Sequence, residues 1–189
     1  MKIYILKPDT NYRLLYPEDS VYDSEEWEFK AEPLIEKLPK QFKAYFDKDS
    51  KKPIPDIAYL GMSTFAFRKD VATELVEILE DAGELLPFYV DEALWYCLNV
   101  TKKSDAFDPE KSKYEINNGV RFGLKEYAFN DDKIITSEIF KISNDNFTNI
   151  FCSDLRENDS DVENNLFCAI ASHGYKGIKF EEVYSTEEN

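Results

Sequence analysis

Asp105, Asp108 and Ser112 are the residues whose types and spacing come nearest to chemistry. They lie in the run Asp105-Ala-Phe-Asp-Pro-Glu-Lys-Ser112, beside apolar segments. A DxxD step on a loop brings two carboxylates within reach of one divalent cation, or lets them divide acid and base roles. Against that, Pro109 follows Asp108, and Lys102 and Lys103 stand just upstream, which together make a turn with neutralised charge. Asp and Ser favour turns and caps because their side chains bond nearby backbone groups, so the turn comes first and the catalytic reading second. The one histidine, His173, precedes Gly174 at an expected helix end, where histidine serves the terminal carbonyls. No GxSxG, HExxH, phosphate-loop or GxGxxG pattern occurs. The cysteines Cys97, Cys152 and Cys168 are odd in number, lack a CxxC step and sit in apolar surroundings. They read as small core residues, with no disulfide framework and no zinc. No metal and no cofactor is expected.

The elements that would position these residues follow from periodicity. Lys2-Ile-Tyr-Ile-Leu6 reads as a first strand stopped by Pro8. Residues 9–55 are irregular, acidic and aromatic, with Pro33, Pro39, Pro53 and Pro55 breaking any long helix. The clearest helix is expected at 64–82, capped by Ser63 or Thr64. Phe67, Val71, Leu75, Ile78, Leu79 and Ala82 fall on one face, and Gly83 stands where a left-handed cap would end it. Short strands are expected at 85–90, 94–100, 114–116, 120–122, 124–129, 139–142 and 150–152, with Asn117-Asn-Gly119 as a hairpin turn and Asn130-Asp-Asp132 as another. A second helix is expected at 160–172, opened by a Ser160–Glu163 capping box and ended at Gly174, before a last strand at 178–184. The fold class is α+β: a mostly antiparallel sheet with two principal helices packed on it. The whole of 1–189 is taken as one domain.

The chain of 189 residues is 43% hydrophobic and 15% aromatic, enough for a substantial core. Its net charge of −15 argues against direct nucleic-acid binding, which needs a basic footprint. No apolar run nears the roughly 20 residues that span a bilayer, and the N-terminus lacks a secretory signal. A cytoplasmic protein is expected, with no membrane partner. Carboxylates gather in three places. The first holds Glu18, Asp19, Asp23, Glu25, Glu26 and Glu28, interleaved with Tyr16, Tyr22 and Trp27. The second is Asp131 with Asp132, and the third Asp154, Glu157, Asp159, Asp161 and Glu163. Solvated loops account for all of them; the rival reading is a recognition face on which acids steer a basic partner and aromatics anchor it.

Several motifs follow one another in a particular order: the strand at Lys2–Leu6, an aromatic segment near Trp27, Pro55-Asp-Ile57, Ser63 ahead of the expected helix, Gly83-Glu-Leu-Leu-Pro87, Leu98-Asn-Val100, the run from Asp105 to Ser112, Ile139-Phe-Lys-Ile142 and Gly177-Ile-Lys-Phe180. In that order they resemble the bacterial immunity proteins of polymorphic toxin systems, specifically the eleventh-numbered immunity family, most strongly over about 55–182. The resemblance implies a non-enzymatic protein that binds and neutralises a cognate toxin domain by occluding it. It brings no catalytic residues, and it makes Gly83, Pro87, Asp108 and Ser112 structural. Toxin contact is then expected from the acidic clusters: Asp19, Tyr22, Asp23, Glu25, Glu26, Trp27, Glu28, Asp131, Asp132, Asp154, Glu157, Asp159 and Asp161, facing a basic toxin. The alternative is an enzyme built on Asp105 and Asp108, which requires both in one concave pocket.

Overall fold

A computed structural model of the chain describes residues 1–22, 28–37, 42–61, 63–134, 139–158, 160 and 162–186. It is an α+β fold dominated by antiparallel sheet. The first strand, β1 (Lys2–Pro8), is apolar on both faces, and Ile3, Tyr4, Ile5 and Leu6 are all buried. A strand of that kind belongs in the middle of a sheet. It lies between β11 (Phe151–Ser153) and β12 (Ile178–Ser185), and β10 (Ile139–Phe140) extends the far side. Ile3 and Ile5 pack with Phe107, Phe129, Phe140 and Phe151 on one face. On the other, Tyr4 stacks on Phe167 of the helix Leu166–His173 at 4.7 Å between ring centroids.

The second sheet has six strands. It is centred on the hairpin of β6 (Gly83–Val90) and β7 (Ala93–Val100), whose register runs from Gly83 opposite Val100 to Val90 opposite Ala93. Beyond β6 lie β3 (Lys43–Phe46) and β2 (Leu15–Pro17); beyond β7 lie β5 (Thr64–Arg68) and β4 (Ile57–Gly61). The β3–β6 pair is parallel and the other pairs are antiparallel. The irregular segment at 9–55 therefore supplies two strands, along with the short helix α1 (Asp19–Tyr22). Val21, Phe29, Leu34 and Phe42 cover one face of the sheet over Leu86, Phe88, Trp95 and Cys97.

The helix expected at 64–82 is corrected in three respects. Residues 64–68 form strand β5, and helix begins only at Lys69, as α2 (Lys69–Glu74) and α3 (Val76–Ala82) with a break at Leu75. Phe67 fits the helical face with Val71 and also a period of two with Phe65, and pairing of β5 with both β4 and β7 decides for the strand. Ser63 and Thr64 cap nothing: Ser63 has φ +61° beside the β4–β5 turn, and the buried Thr64 hydroxyl donates to the Leu98 carbonyl. Gly83 is extended, with φ 164°, and not left-handed. Glycine is needed there because a Cβ would lie 2.0 Å from the Asn99 carbonyl oxygen.

The second helix, α4 (Leu166–His173), is shorter than expected. Its N-cap is Asn165, whose side chain accepts from the Cys168 amide, and not Ser160 with Glu163; Gly174, at φ 70°, ends it in the left-handed conformation as expected. With α1, α2 and α3 this makes four α-helices among the described residues, where two principal ones were expected. The strands read separately at 120–122 and 124–129 are one, β9 (Val120–Glu126), paired with β8 (Lys113–Asn117) through a turn in which Asn118 and Gly119 both have positive φ. Asn130-Asp-Asp132 is no hairpin turn: Asp131–Lys133 is a single 3-10 turn capped by the Asn130 side chain. Among the described residues no helix is long and apolar enough to cross a membrane.

Candidate binding surface and the clamp beneath it

The polar residues inside the ordered motifs converge on one loop. Glu84 of β6 accepts from the Leu34 amide at 2.7 Å and from the Ile35 amide at 3.4 Å. Asn99 of β7 donates from Nδ2 to the Glu32 carbonyl at 2.9 Å and to Glu84 Oε2 at 2.7 Å. Lys141, after β10, is wholly buried and donates to the carbonyls of Phe29 and Ser63. Lys103 pairs with the Glu32 carboxylate at 2.5 Å and holds it below the usual carboxylate range. A loop lying on a sheet has backbone groups that must be satisfied, and here side chains of the sheet satisfy them. Burial pushes the Lys141 ammonium down to about 8, against the opposing pull of Asp145 and Cys97. Asn99 is buried, with Oδ1 unpartnered among the described residues.

The other motifs are also structural. Asp56 pairs with Arg68 at 2.7 Å and accepts from the Lys176 amide at 2.9 Å. Gly177, at φ 108°, meets the same segment so closely that a Cβ would lie 2.0 Å from the Ile57 carbonyl oxygen. Asp108 caps a turn, its Oδ1 accepting from the Glu110 and Lys111 amides at 3.0 and 3.1 Å, and these bonds hold its carboxyl below the usual range. The Ser112 hydroxyl donates to the Asp108 carbonyl at 2.7 Å and accepts from the Ala128 amide at 2.9 Å. Asp105 is an exposed partner of Lys133 at 2.8 Å. The two carboxylates thus have separate occupations, a turn cap and a surface ion pair. Burial pushes the Cys97 and Cys152 thiols up to about 12, the opposite of an activated nucleophile. His173 is exposed and stacks on Tyr175. Among the described residues no cluster of His, Cys, Asp and Glu could hold a metal ion.

The sequence-derived contact residues divide among several places. Asp23, Glu25, Glu26, Trp27, Asp159 and Asp161 lie outside the described residues, as does the Tyr22 side chain. Asp19 is exposed on α1, and Glu28 is exposed and paired with Lys30. Asp131 accepts from the Tyr184 hydroxyl at 2.8 Å, and Asp132 is exposed beside it. Asp154 closes the start of β1, accepting from the Lys2 amide at 2.6 Å, while Glu157 is exposed further on. Asp131 and Asp154 therefore come to the same end of the four-stranded sheet, and Asp19 stays with the six-stranded one.

Sequence reasoning missed a third arrangement. Tyr16, Tyr45 and Tyr89 stand on adjacent strands β2, β3 and β6, at 43%, 42% and 42% exposure. Tyr16 and Tyr45 are register partners, stacked with centroids 6.1 Å apart. Two hollows meet at Tyr45. One, of ≈ 730 Å³, reaches Asp47 and Asp49; the other, of ≈ 610 Å³, reaches Glu18, Tyr89, Asp91 and Glu92. The available signal was an aromatic in the outward phase between buried neighbours, as in Leu15-Tyr16-Pro17 and Ala44-Tyr45-Phe46.

Compared with known proteins, residues 91–185, half of the chain, match the model of an immunity protein family, Imm11. No curated protein matches the chain.

Proposed function

The chain belongs to the Imm11 immunity protein family, and from that premise we propose that it binds and neutralises a cognate bacterial toxin domain by occluding it, without catalysis. The observation that carries this reading is the division of labour between motif and surface. The motif side chains Glu84, Asn99, Asp108, Ser112 and Lys141 are spent on backbone groups of the chain itself. What remains outside is acidic and aromatic, suited to holding another protein and not to turning over a small molecule. On this reading the partner is a basic domain met in the cytoplasm, and an interface of ordinary size, about 1,600 Å² in total, suffices to cover its site. Residues 1–189 act as one folding unit, because the main core draws Leu6, Ile57, Val100, Cys152 and Ile178 from both sheets.

Co-expression with the toxin domain encoded by the neighbouring upstream reading frame tests the proposal. The intact chain is expected to protect the cell. Reversing Glu25, Glu26 and Glu28 to Lys in a still-folded protein is expected to abolish protection. Unimpaired protection by that variant removes the first acidic cluster from the interface, and no protection by the intact chain removes the function.

A further inference from the structure

Building on the immunity reading, we propose that the open sheet face at Tyr16, Tyr45 and Tyr89 is the surface on which the basic toxin domain docks. The same face is covered further along by the chain itself: Leu85 and Tyr96, in phase with Tyr89, pack under α2 and α3 with Phe67, Val71 and Leu79. The cover stops short of β3 and β2, which leaves the tyrosines half in solvent. Tyrosine suits such a place, since it offers a large rigid contact area at low entropic cost and a hydroxyl that tolerates water until a partner arrives.

Charge selects the partner. Glu18, Asp47, Asp49, Asp91 and Glu92 line the two hollows against only Lys43 and Lys48. None of these five carboxylates is in an ion pair among the described residues. Four acids elsewhere on the surface are neutralised, Glu182 by Lys2, Asp81 by Lys102, Glu126 by Lys113 and Asp105 by Lys133; what sets the tyrosine face apart is that its unpaired acids surround exposed aromatic rings. The tyrosine face therefore carries uncompensated negative potential around an aromatic centre. That repels phosphate backbones and steers a positively charged protein surface. Asp91 and Glu92 add a further sign. They are the central residues of the two-residue β6–β7 turn, with φ of 46° and 69°. The first position suits Asn or Asp and the second favours Gly, so Asp91 fits the turn while Glu92 stands at the rim where backbone geometry alone would choose glycine.

The double variant Asp91→Asn, Glu92→Gly exploits this conflict. It removes both charges while improving the turn, so it is expected to fold with a raised melting temperature. Binding to a catalytically inactive form of the neighbouring toxin domain is expected to show about ten-fold slower association and a weaker salt dependence. Tyr45→Ala, at the centre, is expected to weaken affinity by about 30-fold or more and to lose protection on co-expression. If the intact chain protects and both variants bind as it does, the docking face is wrong while the immunity reading stands. The same holds if protection is lost instead on reversing Asp131 and Asp132. Should the intact chain neither bind nor protect, the immunity reading fails and the docking face with it.

Discussion

Replacing Lys141 by methionine separates two opposing contributions of a buried amine. The ammonium bonds the Phe29 and Ser63 carbonyls, which methionine would leave without that donor. An unsatisfied buried acceptor costs about 1–3 kcal/mol. Against this, the folded amine titrates near 8, below its ordinary 10.5, because burial disfavours its charge. Between those two values the unfolded chain binds more protons than the folded one, so the contribution of Lys141 to stability rises with pH across that window. Below it, the cost of burying the charge stands in full, at roughly 3 kcal/mol. At about pH 6 the lost bonds and the relieved burial nearly offset, and Lys141→Met is expected within about 1–2 kcal/mol of the unaltered chain. By about pH 10 it should fall behind by roughly a further 2–3 kcal/mol. The Cys97 and Cys152 thiols, pushed up to about 12, act in the other direction above their ordinary range, but in both proteins, and so largely cancel in the difference. Urea unfolding of the two proteins in parallel across this pH range measures it. A stability difference that does not change with pH would refute the placement of this amine in the core.

Two further substitutions test the remaining motifs. Gly83→Ala and Gly177→Ala each drive a Cβ to 2.0 Å from a backbone oxygen, of Asn99 and Ile57 respectively. Neither oxygen can swing aside as a side chain would, so each variant should lose about 3 kcal/mol or more in denaturant unfolding; a loss near zero would show the strands free to part. Ser112→Ala removes a donor to Asp108 and an acceptor for Ala128, and should cost about 1–2 kcal/mol while protection on co-expression persists. Loss of protection by a Ser112 variant of unaltered stability would return Ser112 to the candidate functional residues.

What was legible in the sequence was what is locally encoded. The strands expected at 85–90 and 94–100, the Asn118-Gly119 turn and the Gly174 stop are read from neighbours a few residues apart, and the structure places them as expected. Thr64–Arg68 was not legible, because Phe67 fits a helical period with Val71 and a strand period with Phe65, and the choice rests on β4 and β7, the latter some thirty residues on. The short strands β2 and β3 were hidden by the same dependence on distant partners, and with them the outward tyrosines. Lys141 was least legible of all: in Ile139-Phe-Lys-Ile142 it resembles the solvent-facing position of a strand, and only the Phe29 carbonyl, 112 residues away, explains its burial.

That dependence on distance also bears on where the family match falls. The matched residues 91–185 contain β7 to β12 but omit β1, which sits between β11 and β12 and is hydrogen-bonded to both. They also omit β6 and β5, the two neighbours of β7. Cut at residue 91, the fragment would expose Leu98, Val100, Phe151 and Ile178, whose burial in the whole chain is nearly complete. Each such side chain forfeits about 1.5–3 kcal/mol on exposure, a set of losses comparable to the whole stability of an ordinary domain. The fragment 91–185 is therefore expected to give no cooperative thermal transition by circular dichroism, whereas the full chain melts cooperatively. A fragment that melts as sharply as the full chain would mean that the first ninety residues are an attachment to an independent unit, and the clamp of Glu84 on the 28–35 loop would then belong to the attachment alone.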